Sequence, residues 1–217
     1  KNFIESSKYL KDIKFIVLSG GEALLRNDLA DIVKFLRSYY PKTEILILSN
    51  LFDKKLIENK LNIIKKETGL QKISIGTSID GIGKNHDKIR GQNGAFENLV
   101  SNLELLKKDF PEVYFSLNYT ILPDNCDKIA EVYDWCKEKK YHVSFQMFVQ
   151  KEETLQFKWQ PDILNIIENQ INIITEKMAN ECGIQEFNED TFLTNEGLTS
   201  QFLSLYYIIK YIDKQKR

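Results

Sequence analysis

The tripeptide Gly20-Gly21-Glu22 is the first segment whose residue types could do chemistry. It follows the apolar run Phe15 to Leu18 and precedes a stretch with helical spacing. Two glycines allow a ligand to approach the backbone closely, because no side chain covers it. The Glu22 carboxylate and nearby carbonyl oxygens can accept hydrogen bonds from an ammonium group. A tight turn with a surface glutamate explains the tripeptide equally well when it is taken alone.

Further polar residues recur where apolar runs end. They are Ser49-Asn50, Ser78 to Asp80, Asn118 to Thr120, and Gln146. Parallel α/β folds place their chemistry at the carboxyl ends of the strands, so this edge is the predicted site. Strand ends are also polar simply because they lead into loops. Five strands that share the feature favour a site over that simpler explanation.

The elements that position these residues are predicted from hydrophobic periodicity. Short β-rich runs predict strands at 14–19, 44–49, 72–79, 113–121 and 142–148. Apolar residues spaced three and four apart predict intervening helices around Leu29 to Leu36, 54–68, Phe96 to Leu103 and Ile129 to Cys136. Gly69 is a plausible C-cap of the second of these helices. Strand–helix alternation indicates βαβ units, a parallel sheet and helices on the outside.

The alternation of residues within the later strands indicates what each face contacts. One face is polar and carries Ser74, Gly76, Ser78 and Asp80, then Ser116, Asn118 and Thr120, then His142, Ser144 and Gln146. The opposite face is apolar and carries Ile73, Ile75 and Ile79, then Phe115, Leu117 and Tyr119, then Val143, Phe145 and Met147. We expect the apolar faces to pack against helices and the polar faces to line a cavity.

Composition excludes several classes of protein. Thirty basic and 31 acidic residues give a net charge of −1 with no basic stripe, which argues against a nucleic-acid partner. Apolar runs end after four residues, so no membrane partner is expected. Three scattered cysteines suggest neither a disulfide framework nor a metal site in this chain, and they fit a cytoplasmic setting.

Several motifs in chain order resemble one known family. The run Ile16 to Arg26, with Gly20-Gly21-Glu22, resembles the second barrel strand of radical S-adenosylmethionine enzymes, although Ala23 replaces their usual proline. Ser78 to Gly81, followed by His86-Asp87, Arg90-Gly91 and Gly94 to Phe96, is similar to the fourth strand of that family's SPASM-type branch. Asn118 to Asn125 and Phe145 to Met147 resemble the fifth and sixth strands.

The resemblance implies a fold and a domain organisation. The expected fold is α/β, a partial (β/α)6 TIM-like barrel without its first strand, with parallel strands inside, helices outside and C-terminal helices. Residues 1–150 would be the barrel and 151–217 a helical extension, with helices from Pro161 to Met178 and from Phe202 to Ile212 and a loop at 189–200. Leu51 stands where the family commonly has glycine after the third strand.

The resemblance also implies residue roles in binding S-adenosylmethionine. Gly20, Gly21 and Glu22 would hold the methionine amino group, while Asn50, Ser78 and Asn118 would line the ribose and the methionine. Arg90 would pair with the methionine carboxylate, a task that suits a planar bidentate donor, or it is a solvated surface arginine after a turn. Asp80 would position ligand or substrate, or cap the following loop, and Gln146 would lie by the adenine. His86 is expected in a polar loop as a local hydrogen-bond partner.

The family mechanism is reductive cleavage of S-adenosylmethionine to a 5'-deoxyadenosyl radical, which abstracts a hydrogen atom from a substrate. The family's three-cysteine loop, C-x-x-x-C-x-x-C, which binds a 4Fe-4S cluster, has no counterpart in the sequence. We therefore expect a chain truncated at its N-terminus, and also at its C-terminus, that is inactive alone. A flavodoxin or ferredoxin reductant is implied, and peptide, sugar and small-molecule substrates remain open. A non-catalytic or degenerate barrel module and a different α/β-barrel lyase are the alternatives.

Overall fold

The computed structural model describes residues 13–148, 159–182 and 199–215. Within these residues the strands are β1 (Phe15–Leu18), β2 (Glu44–Leu48), β3 (Ile73–Ser78), β4 (Tyr114–Ile121) and β5 (His142–Met147). The α-helices are α1 (Leu29–Tyr39), α2 (Lys54–Thr68), α3 (Lys84–Arg90), α4 (Ala95–Asp109), α5 (Ile129–Glu138), α6 (Pro161–Cys182) and α7 (Thr199–Gln215). A 3₁₀ helix, Ala23–Leu25, follows β1.

The five strands form one parallel sheet in chain order. In its first part, Ile16 pairs with Ile45, and Ile45 with Ile73. This register places branched side chains in continuous rows, which suits packing against helices. The predicted α/β class, with all five strands in their predicted places, is confirmed.

The residues divide into two compact units. The first comprises Lys1–Thr77 and Glu97–Ser116, and the second comprises Ser78–Phe96 and Leu117–Arg217. The predicted boundary near residue 150 falls in 149–158, outside the described residues, and stays a prediction.

In the first unit, α1 and α2 pack on each other. The core side chains of this unit include Leu29, Val33, Ile45, Ile47, Ile57, Leu61, Ile64, Ile73 and Ile75, all at most 2% exposed. Helix α2 begins where the Asp53 carboxylate accepts a hydrogen bond from the backbone N–H of Leu56, at 3.0 Å. It ends at Gly69, whose φ of 73° is typical of a helix C-terminus, as predicted.

In the second unit, α6 packs against both α5 and α7, and α7 contacts β5. Buried Ile167, Ile171 and Ile174 supply the apolar face of α6. Most of the predicted loop at 189–200 lies outside the described residues, but its last two positions are helical, because α7 begins at Thr199. Among the described residues, no helix combines the length and the apolarity that crossing a membrane requires.

The predicted alternation of faces holds in β4 and β5. Phe115, Leu117, Tyr119, Val143 and Phe145 are buried, while the polar residues between them are half-buried or exposed. Strand β3 differs, because Ser74 and Thr77 are buried together with Ile73 and Ile75.

Helix α3 was not predicted, and His86 lies in it rather than in a loop. Seven residues with no apolar stripe give no periodic signal. The helix ends at Gly91, whose φ of 67° is left-handed.

Candidate functional site

In the first unit, Glu22 joins two strand ends. One carboxylate oxygen accepts a hydrogen bond from the backbone N–H of Leu24 at 3.2 Å, and the other accepts one from the backbone N–H of Asn50 at 2.8 Å. The first bond caps the 3₁₀ helix, and the second ties the loop after β1 to the loop after β2. Glu22 thus has a structural role that the sequence analysis did not anticipate.

The loop after β2 is fixed from three directions. The Asn50 side-chain oxygen accepts a hydrogen bond from the Phe52 N–H at 2.9 Å, and the Ser49 hydroxyl accepts one from the Leu51 N–H at 3.1 Å. Helix α4 contributes Asn102, whose side-chain amide donates to the Leu51 carbonyl at 2.8 Å. Leu51 has φ of 54°, a conformation that favours glycine, and its side chain is fully buried, so the burial offsets the cost of the positive φ.

A cavity of about 290 Å³ opens at this loop. Its lining residues are Glu22, Leu24, Leu25, Ser49, Asn50, Phe52, Asp53, Leu56 and Ile57. Two of the predicted site residues, Glu22 and Asn50, therefore share one cavity. A Cβ atom added to Gly20 or Gly21 would meet no described residue within 4 Å, so this part of the structure leaves the backbone of both glycines open to a ligand.

In the second unit, Asp80 and Arg90 form an ion pair. The Asp80 Oδ2 atom lies 2.6 Å from the Arg90 Nε atom. The Asp80 side chain is 7% exposed and that of Arg90 is 37% exposed. The two predicted site residues are thus in direct contact, with the carboxylate buried and the guanidinium reaching the surface.

Two buried side chains hold the backbone of Asp80. The Asp80 N–H donates to Nδ1 of His86 at 3.1 Å, and the Asp80 carbonyl accepts from the Asn125 side-chain amide at 3.2 Å. Burial lowers the pKa of His86, which agrees with a neutral ring that accepts at Nδ1. We call Asp80, His86, Arg90 and Asn125 the Asp80 cluster.

The polar faces of β4 and β5 are joined by two side-chain hydrogen bonds. The Ser144 hydroxyl donates to the Asn118 side-chain oxygen at 2.7 Å, and the Gln146 amide donates to the Thr120 hydroxyl at 3.1 Å. Two more of the predicted site residues, Asn118 and Gln146, therefore lie on neighbouring strands of one polar surface. Ser78 ends β3 and is half-buried.

Asp87 is a residue whose role the sequence analysis did not predict. Its carboxylate accepts hydrogen bonds from the backbone N–H groups of Gly94, at 2.7 Å, and Phe96, at 2.8 Å. These bonds lower the pKa of Asp87 and secure the start of α4. The spacing of an acidic residue ahead of a Gly-Ala-Phe helix start is the sequence signal for this cap.

A family model described as the radical SAM superfamily matches residues 2–156, which is most of the chain. The chain belongs to the radical SAM superfamily. This membership favours the predicted family over the other α/β-barrel lyases considered above. It also implies S-adenosylmethionine and a 4Fe-4S cluster as the cofactors.

Curated relatives of this radical SAM chain are enzymes. An AdoMet-dependent heme synthase from Methanosarcina barkeri is 33% identical over 135 residues, covering 60% of this chain and 36% of the relative. A GTP 3',8-cyclase from Campylobacter jejuni is 25% identical over 185 residues, covering 83% of this chain and 55% of the relative. The chain thus spans between a third and just over half of the length of these relatives.

The solved structure of Streptococcus suis SuiB shares the fold. It matches with a TM-score of 0.54 and 16% identity over 75% of this chain and 37% of the SuiB chain. The match is consistent with the predicted partial barrel.

The two cysteines whose side chains the structure describes do not fit an iron–sulfur cluster. Burial raises the pKa of Cys126, and it raises the pKa of Cys136 to about 12, as expected for thiols packed among apolar side chains. The Cys126 thiol contacts the Pro123 carbonyl at 3.3 Å. Across the described residues, no group of three or more His, Cys, Asp or Glu side chains could hold a metal ion.

Proposed function

We propose that this chain binds S-adenosylmethionine as part of a radical SAM enzyme that abstracts a hydrogen atom from a substrate. The observation that carries the proposal is the arrangement in the second unit. A guanidinium held by a buried carboxylate follows β3, and neutral hydrogen-bonding groups lie near the ends of β4 and β5. A zwitterionic amino acid joined to a nucleoside needs this combination of one fixed cation and several neutral polar groups.

The second unit would hold the carboxylate and the ribose. Arg90 is the donor for the methionine carboxylate, because a guanidinium can bind a carboxylate through two parallel N–H groups. Ser78 and Asn118 would hydrogen-bond the ribose and the methionine, and Gln146 would lie by the adenine. Their place on a rigid sheet supports these roles, since sites on strands are held more precisely than sites on loops.

The residues proposed to hold an amino group belong to the first unit. Glu22 accepts two backbone hydrogen bonds, but an ionised carboxylate has about four lone-pair positions and retains capacity for an ammonium donor. The open backbones of Gly20 and Gly21 let carbonyl oxygens approach the same group. Asn50 would line the ribose and methionine part from the same cavity.

The bound cofactors would supply the redox chemistry, which is one-electron cleavage of S-adenosylmethionine, while the protein binds and orients. We propose that the three-cysteine loop lies ahead of residue 1, because its spacing does not occur in residues 1–217 and the curated relatives are much longer. The proposal also places the protein in the SPASM-type branch, with a C-terminal extension that carries auxiliary clusters. It further includes a flavodoxin or ferredoxin as electron donor and a cytoplasmic location. This segment alone would be inactive.

The names of the relatives concern haem and GTP, two unrelated classes of compound, so the proposal extends only to the shared cofactor chemistry.

Titration calorimetry of the full-length protein with its oxidised cluster tests the proposal. The wild-type protein should bind S-adenosylmethionine. The Arg90→Ala variant should bind it about 10- to 100-fold more weakly, because a hydrogen bond to a charged group contributes roughly 1.5–3 kcal/mol. Lys88→Ala is the matched control on the same helix, since Lys88 is exposed and pairs only loosely with Asp124 at 3.6 Å. An Arg90→Ala variant that binds as tightly as Lys88→Ala would contradict the assigned site.

A further inference from the structure

The Asp80 cluster fixes one residue through both its side chain and its backbone. The side chain of Asp80 contacts Arg90, its N–H donates to His86, and its carbonyl accepts from Asn125. Asp80 is 5% exposed, so little of its surface is available to a ligand. Its carboxylate is directed to Arg90, which reaches the surface.

The backbone after Asp80 is equally constrained. Gly81 has φ of 156°, and a Cβ atom added there would lie 2.7 Å from the Asn85 Cβ and 3.1 Å from the backbone nitrogen of His86. Only glycine therefore allows this close approach of the strand end to α3. The approach brings Asp80 and Arg90 together although they are ten residues apart in the sequence.

Arg90 is the cation that matches the buried charge. His86 Nδ1 lies 4.0 Å from Asp80 Oδ2, but that nitrogen accepts the Asp80 N–H and so carries no proton. The ion pair joins the Arg90 Nε atom to Asp80 Oδ2, while more than a third of the Arg90 side chain stays exposed. Because a guanidinium carries five N–H donors, one that is paired at Nε retains donors for a second carboxylate.

We propose that Asp80 is a positioning residue that holds Arg90 ready for the carboxylate of the amino-acid part of the bound ligand, an inference that rests on the function proposed above. A free arginine side chain loses much rotamer freedom when it binds an anion. The buried partner Asp80 restricts the rotamers of Arg90 already in the free protein, so less conformational entropy is lost when the ligand binds. Asp80 therefore confers selectivity for ligands with a carboxylate, without touching the ligand.

Paired ligands test this role within each variant. S-adenosylmethionine and its decarboxylated analogue, S-adenosyl-3-(methylthio)propylamine, differ in the carboxylate. Calorimetry with the full-length protein and its oxidised cluster would compare both ligands on the wild type, Asp80→Asn, Arg90→Ala and the double variant. Asp124→Asn is the control, because Asp124 is 66% exposed and lies in the same unit.

In the expected result, Asp80→Asn weakens S-adenosylmethionine binding about 10-fold or more, and weakens binding of the decarboxylated analogue less than about threefold. The double variant binds like Arg90→Ala, because Asp80 acts through Arg90. Asp124→Asn matches the wild type with both ligands.

Two results would overturn the inference while leaving the proposed function in place. In the first, Asp80→Asn retains wild-type preference for the carboxylate while Arg90→Ala loses it. In the second, Asp80→Asn weakens both ligands equally, which would assign Asp80 to the stability of the fold. An Arg90→Ala variant that retains the preference would instead refute the proposed role of Arg90, and the role of Asp80 with it.

Discussion

Replacing Asn125 tests how the second unit stabilises the end of β3. Asn125 is completely buried, and its side chain makes three hydrogen bonds. Its oxygen accepts from the Leu122 N–H at 2.7 Å, and its amide donates to the carbonyls of Asp80 at 3.2 Å and Thr120 at 3.1 Å. The Asn125 carbonyl also accepts a hydrogen bond from the buried Tyr119 hydroxyl at 2.7 Å.

The structure sets the size of the effect. Asn125→Ala removes three hydrogen bonds worth roughly 0.5–1.5 kcal/mol each and leaves the N–H of the half-buried Leu122 without its partner. We expect the free energy of unfolding to fall by about 3–4 kcal/mol. Asn125→Asp should cost more, because a buried carboxylate oxygen would then face two carbonyl oxygens.

Urea denaturation measures this order of stability. The midpoints should decrease from wild type to Asn125→Ala to Asn125→Asp with little change in the slope of the free energy against urea. Asn93→Ala is the control, because Asn93 is exposed in the same unit, and its effect should stay within about 0.5 kcal/mol. A loss below about 1 kcal/mol for Asn125→Ala, or a more stable Asn125→Asp, would refute the reasoning.

Two further predictions concern stability. Leu51→Gly relieves a positive φ that costs about 1–2 kcal/mol, but it also removes a fully buried side chain that contributes about 2–5 kcal/mol. The urea midpoint of this variant should therefore fall, and a higher midpoint would contradict the prediction. Burial lowers the pKa of both histidines, His86 and His142, in the folded protein. The stability that their neutral rings contribute is therefore fully present above the pKa of an unfolded histidine, which is about 6.5, and it decreases as the pH falls below that value. Each histidine contributes up to about 1.4 kcal/mol per pH unit, so urea midpoints should fall between pH 7.5 and 5.5. An equal fall in the His86→Gln/His142→Gln double variant would count against this explanation.

The sequence predicted most of the elements because their signals are local. All five strands were placed within two residues of their observed ends, since short β-branched runs between turns are a strong signal. Helix α3 and the 3₁₀ helix were missed, because neither is long enough to show an apolar period. Strand β3 buries Ser74 and Thr77, and the residue pattern of the strand did not predict this burial.

The predicted site residues were chosen one by one, and their mutual contacts were not predictable. The Asp80–Arg90 ion pair depends on the close approach at Gly81, which no spacing rule gives. The bond from the Asn50 N–H to Glu22 depends on β1 and β2 being neighbours in the sheet. Both contacts are tertiary, so motif reasoning could name the residues but could not show which of them act together.

A crystal structure of the full-length, cluster-loaded protein with S-adenosylmethionine tests the central claim most directly. The account predicts that the methionine carboxylate lies within hydrogen-bond distance of the terminal nitrogens of Arg90, about 3 Å, while Asp80 remains paired to Nε. A cofactor whose carboxylate is bound elsewhere, with Arg90 directed to solvent, would contradict it.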